Sequence, residues 1–287
     1  MKKIILGTIA VLAVTFGSPS AKTEEPIAYN SLEVVATPEA IKDVALRGAP
    51  IAVWETLEHG ESLECLECIP YVEPLLYNKD ARVREIAAWW LRRRVFGYAE
   101  VALKVRKVIE NDADPERRAA AANALGEFMD PGGTKFLIKA AADSSPLVRA
   151  ASLAAIRRLN DSDGAPAVSA GLGDSDVSVR KVALEAATKL AGFTDVPAVA
   201  KLISDPNASV RGRAADALGV FKAKGSIAGL MVLAVNDPEE DVRVDAVNAL
   251  GEIGDPAARA TIDRALTDGA PRVRDAARVA SIKVSAI

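Results

Sequence analysis

An arginine that returns at a nearly fixed interval constrains this chain more than any other feature. Arg84, Arg118, Arg149, Arg180, Arg211, Arg243 and Arg274 stand 34, 31, 31, 31, 32 and 31 residues apart. Self-similarity at such a period is the signature of stacked repeats. The neighbourhood repeats with the arginine. One residue before it comes Val83, Val148, Val179, Val210, Val242 or Val273, with Arg117 as the exception in the second unit. Three residues after it comes Ala87, Ala121, Ser152, Ala183, Ala214, Ala246 or Ala277. Six after it comes Ala124, Ala155, Ala186, Ala217, Ala249 or Ala280, with Trp90 in the first unit, and seven after it comes mostly Leu or Ile. These offsets describe one helical face. Small residues at two of its steps let the helix lie close to its neighbours, and Val and Leu fill the space at either side.

Six residues before the arginine stands Asp112, Asp143, Asp174, Asp205, Asp237 or Asp268, with Asn78 in the first unit. Aspartate there turns the chain and caps a helix. Fourteen residues before it, Pro70, Pro166 and Pro197 fall in register, which suits the first turn of a preceding helix, where a missing N–H costs nothing. Each unit therefore reads helix, Asp turn, helix. No unit of about 31 residues buries its own apolar face, so stacking is required for stability. Half of the residues are apolar and only 5% aromatic, so the core is built from Ala, Val, Leu and Ile, as closely packed helices require. The expected fold is all-α: a solenoid of about seven two-helix repeats over 65–287, with a helical cap before it.

Strings such as DPNASVRGRAADALGVF and DPEEDVRVDAVNALGEIGDP resemble the HEAT-repeat family, in particular the short bacterial repeats also seen in phycobilisome lyases. The resemblance runs from about Pro70 to the C-terminus. It implies a superhelix whose second helices line a concave face, and a ladder of the seven arginines and six aspartates that ties neighbouring repeats together, with Asp205 beside Arg211 and their equivalents likewise. Such pairing with turn carboxylates and carbonyls is the structural account of the column; a comb of arginines for anionic ligands is the alternative. Fold likeness does not choose a function. The chain also resembles deoxyhypusine hydroxylase in architecture, but that family holds its di-iron centre with repeated His-Glu pairs, and His59-Gly60 is all this sequence offers. Bilin lyases act on cytoplasmic light-harvesting proteins, a compartment that the N-terminus argues against.

The chain opens Met1-Lys2-Lys3, continues through an apolar run to about Phe16, and turns small and polar from Gly17 to Ala21, the pattern of a signal peptide over 1–21. A periplasmic or secreted location is expected. Losing Lys2 and Lys3 leaves 34 basic against 39 acidic side chains, a net charge of −5, which disfavours nucleic acid as a partner. No stretch is long and apolar enough to read as a membrane span. Residues 22–64 lack the repeat columns and read as a polar leader followed by the cap, formed by PEAIKDVALRG and PIAVWETLEHG.

Cys65 and Cys68 form the only CxxC, and in an exported protein they read first as a disulfide that staples the entry to the first repeat. Ile69 stands where covalent haem attachment needs His. A zinc site would have to recruit His59 with Glu61 or Glu64, and Glu61, Glu64 and Glu67 oppose a reactive thiolate. In the first repeat, Trp90 is expected to pack against the cap. Trp89 lies in a column that holds charge elsewhere and is followed by Arg92 and Arg93, residue types common in binding hot spots. No nucleophile elbow or phosphate loop appears, so catalysis has no positive support and no cofactor is expected. The preferred function is an exported interaction scaffold binding a protein or peptide, with Trp89, Arg92 and Arg93 at its N-terminal end. An accessory role in redox or metal chemistry at Cys65 and Cys68 is the alternative, and a purely architectural spacer is the third.

Overall fold

A computed structural model describes residues 36–285; the expected signal peptide and most of the leader lie outside the described residues. Among the described residues there are sixteen α-helices, seven short 3-10 turns and no strand. The cap consists of α1 (Pro38–Arg47) and α2 (Pro50–His59). Proline opens both helices, and the Thr37 side chain caps the first by accepting from the Ala40 N–H.

The first helix of the first repeat is broken into a 3-10 turn at Leu66–Cys68, α3 (Ile69–Val72) and a second 3-10 turn at Glu73–Tyr77. Pro70 and Pro74 explain the break, since neither donates a backbone hydrogen bond. Its second helix is α4 (Ala81–Leu91). The later repeats alternate first and second helices: α5 (Tyr98–Asn111) and α6 (Pro115–Phe128), α7 (Thr134–Ala140) and α8 (Pro146–Leu159), α9 (Ala165–Leu172) and α10 (Val177–Lys189). They continue with α11 (Val196–Lys201) and α12 (Ala208–Val220), α13 (Ile227–Asn236) and α14 (Glu240–Ile253), and α15 (Arg259–Ala265) and α16 (Pro271–Ser285). Each second helix packs on the next, and the cap continues the series, with α2 against α4 and α1 against α3. The cap is thus a helix pair stacked like a repeat, built without the repeat's sequence columns.

The alanine columns form the seams. Ala87, Ala121, Ser152, Ala183, Ala214, Ala246 and Ala277 are all buried, as are the alanines three residues further on. Eight residues after the arginine, Gly126, Gly219 and Gly251 face the alanine of the next second helix. A Cβ added at Gly251 would lie 2.8 Å from the Ala280 Cα, so the helices approach nearer there than a side chain allows.

Five arginines carry the ladder. Nε and Nη2 of Arg118, Arg149, Arg180, Arg211 and Arg243 donate to both carboxylate oxygens of Asp143, Asp174, Asp205, Asp237 and Asp268 in the following repeat, at 2.7–3.1 Å. Nη1 of each arginine donates to the carbonyl of the aspartate six residues before it, as in Arg211 to Asp205 at 2.9 Å. The family resemblance implies Asp205 beside Arg211, and the structure divides that aspartate between two repeats. Its carbonyl serves Arg211, while its carboxylate is turned toward Arg180 because Oδ1 also accepts the Asn207 N–H at 2.8 Å. The bidentate bonds hold the Asp143, Asp174 and Asp268 carboxyls below the ordinary carboxylate range.

Candidate interaction surface

Each second helix presents a strip of residues that do not repeat. Five residues after the ladder arginine, the strip carries Trp89, Asn123, Ala154, Glu185, Asp216, Asn248 and Val279; nine after it, Arg93, Glu127, Arg158, Lys189, Val220, Glu252 and Lys283. These columns differ from unit to unit because they leave the seam, where the ladder and the alanines impose one solution. Ion pairs link neighbouring units along the strip. Arg158 meets Glu127 at 2.7 Å, Lys222 meets Glu252 at 3.1 Å, and Arg157 pairs with Glu185. The Asp216 carboxyl is pushed up to about 6 by burial and by the nearby charge of Asp245.

At the N-terminal end Trp89 is half-buried, and the Arg93 guanidinium lies over its ring at 3.8 Å. Arg93 Nε also donates to Glu61 Oε1 at 2.7 Å, across to the segment that follows α2. Arg92 Nη1 donates to the Glu127 carbonyl at 3.0 Å, bridging α4 to α6. All three expected partner-binding residues are partly exposed; Arg92 and Arg93 also tie this end of α4 to neighbouring elements, while Trp89 packs against Arg93 of its own segment. Arg94, which follows them, is buried. It lies over the Trp90 ring and donates to the Glu61 and Leu63 carbonyls. Trp90 is fully buried, and its Nε1 donates to the Gly60 carbonyl at 3.0 Å.

Sequence reasoning passed over Val95 and Phe96, which are 79% and 80% exposed in the turn between α4 and α5. The signal was present as two consecutive apolar residues outside every repeat column. Exposed large apolar side chains beside arginine and tryptophan suit a partner's apolar surface.

Cys65 and Cys68 are buried, with their sulfurs 2.04 Å apart and their Cα atoms 5.3 Å apart. Around them Glu67 pairs with Lys42 at 2.9 Å and Glu61 with Arg93, while His59 is exposed with Nδ1 2.6 Å from the Glu55 carbonyl. Among the described residues no group of three or more His, Cys, Asp or Glu is placed to hold a metal ion, and no helix is long and apolar enough to cross a membrane.

The HEAT repeats family model matches residues 69–157, 102–188 and 196–282, more than half of the chain. This chain belongs to the HEAT-repeat family. No curated protein matches the sequence. Among solved structures, this HEAT-repeat chain is similar to YibA of E. coli, with 18% identity and a TM-score of 0.63 over 87% of this chain and 92% of that one. It is similar also to Kap95p, solved in a study of its binding to RanGDP, with 13% identity and a TM-score of 0.61 over 86% of this chain and 39% of that one. The phycocyanin lyase complex CpcE–CpcF of Nostoc sp. PCC7120 is 22% identical with a TM-score of 0.43, over 75% of this chain and 86% of that one. The first two likenesses show the fold.

Proposed function

We propose that this HEAT-repeat protein is an exported scaffold or adaptor that holds a protein or peptide on the face built by its second helices. The observation that carries the reading is the contrast within each second helix. One side repeats and is locked by the ladder, while the strip at five and nine residues after the arginine changes in charge and size from unit to unit. A rigid, extended surface with individual side chains at regular intervals suits recognition of a long segment. Kap95p, which binds RanGDP, illustrates the use of such a fold to hold a protein. Trp89, Arg92 and Arg93, with Val95 and Phe96 beyond them, form the N-terminal end of the proposed surface. Export rests on the pattern of residues 1–21, and Cys65 and Cys68 act as a disulfide staple at the entry to the first repeat.

The test places a photo-crosslinking residue at position 89 or 123 on second helices, and at exposed Glu110 on a first helix, in the protein expressed in its own cell. Crosslinks to one protein, identified by mass spectrometry, are expected from 89 and 123 and not from 110. Crosslinks from 110 alone, or from all three equally, overturn the reading. The accessory redox reading is separated by alkylation: a staple takes label only after reduction and accepts no electrons from a thiol substrate.

A further inference from the structure

The ladder has a rung that does not close. Arg84 is posed like the other arginines, with Nη1 donating to the Asn78 and Lys79 carbonyls at 2.7 and 2.9 Å. Its expected acceptor, Asp112, is elsewhere. The second unit is longer, with 34 residues from Arg84 to Arg118 instead of 31 or 32, and the extra length lies in α5, a 14-residue first helix. Three helical residues carry Asp112 on by about 4.5 Å. There it meets Arg117 Nε at 2.8 Å. Arg117 stands in the one position of its column that is not valine, and its guanidinium lies 4.3 Å over the Tyr77 ring. The two departures from the repeat thus belong together: a longer helix displaces the aspartate, and a substituted arginine receives it.

What remains is a cleft of about 650 Å³ between α4 and α6, with Arg84, Lys79 and Asn123 on its wall, and a second hollow of about 200 Å³ that shares Arg84. This is the loosest seam between consecutive second helices. No described carboxylate comes within 4.0 Å of the Arg84 nitrogens. Of the acidic groups around the two hollows, Asp112 is taken by Arg117, Glu127 by Arg158, and Asp114 by the Glu116 N–H as a helix cap, while Glu85 and Glu116 stand on the walls and neither comes within 4.0 Å of the Arg84 nitrogens.

We propose that the Nε and Nη2 edge of Arg84 receives a carboxylate from an acidic segment of the protein partner, in the two-bond geometry that aspartate supplies to the five closed rungs. The inference rests on the scaffold reading and gives that partner a chemistry and a docking point. The closed rungs describe the ligand, since in each an aspartate side chain enters the same edge of an arginine held in the same pose. The first unit has the arginine and an open cleft in place of the aspartate.

The test follows arginine 15Nε resonances of the full protein, with Arg84 assigned by loss of its signal in Arg84→Lys and Arg274 as the reference. Arg274 shares the pose, with Nη1 on the Asp268 carbonyl at 2.7 Å, and lines neither hollow. The probes are a capped peptide, Ile-Ser-Asp-Pro-Asn-Ala-Ser-Val, the same peptide with Asn for Asp, and sodium acetate at matched ionic strength. The expected result is a saturable shift of Arg84 with the Asp peptide, roughly tenfold tighter than with acetate, and no shift with the Asn peptide. Equal affinity for acetate and the Asp peptide overturns the acidic segment in favour of a small carboxylate. A silent Arg84, or an equal response at Arg274, overturns the site. Partner crosslinking from position 123 that survives in Arg84→Lys, together with a silent Arg84, overturns this inference and leaves the scaffold reading standing.

Discussion

The interior repeats and the N-terminal end of this solenoid solve one packing problem by different means. From α6 onward each seam is closed by alanine or glycine against alanine and by a bidentate Arg–Asp rung, so every interface resembles the next. At the N-terminal end the alanine is replaced by Trp90, the capping pair α1 and α2 lacks the repeat columns, and Arg93 and Arg94 bind the segment that follows α2. The first rung there is open. Repetition gives rigidity at the price of individuality, because a seam that accepts only alanine cannot also carry a distinctive side chain. The irregular end is where aromatic, cationic and exposed apolar groups accumulate.

The sharpest way to break this comparison is to remove an arginine from each region. Arg180→Ala leaves Asp205 unpaired in the most enclosed rung, where the two side chains are 9% and 4% exposed, and is expected to cost about 3–5 kcal/mol. Arg84→Ala loses only two bonds to carbonyls and is expected to cost about 1 kcal/mol. Urea unfolding of the two variants measures the difference, and equal losses would show that the first rung is closed in solution.

A smaller effect is expected from Gly251→Ala. The added methyl meets the Ala280 backbone at 2.8 Å, and overpacking of this kind costs about 1–3 kcal/mol. Gly225→Ala, where nothing lies within 4 Å of the added atom, serves as the neutral reference in the same thermal melts. If both variants melt alike, the seam is more compliant than its geometry indicates.

The gentlest probe is pH. Carboxyls at Asp143, Asp174 and Asp268 are lowered by their arginine bonds, so their contribution is fully present above the ordinary aspartate value of about 3.9 and disappears as pH falls through the lowered values. Acid should therefore loosen the interior seams, with amide exchange at the α4–α6 seam changing least. Asp216 acts in the opposite sense, because a value raised to about 6 means that stability falls as pH rises from about 4 through 6. Asp216→Asn should flatten that part of the profile while leaving the acid limb in place.

Much of this was legible in the residues. The arginine, valine and alanine columns specify a helix with one buried face, and the aspartate specifies the turn before it. Arg117 in a valine column and 34 residues in place of 31 were visible as irregularities, yet their connection was not, since it depends on where a longer α5 delivers Asp112. Trp89, Arg92 and Arg93 stood out by type, but their bonds to Glu61, Glu127 and each other required neighbours about 30 residues away to be placed in space. Val95 and Phe96 escaped notice because exposure is a property of the folded surface.

The sequence by itself determined the repeat, its two-helix unit and the family, because periodic burial writes periodic residues. Tertiary structure alone decided which repeat each aspartate serves, which rung stays open and which arginines are engaged. Those outcomes turn on distances of a few ångströms between helices, and a one-dimensional pattern contains the partners without their separation.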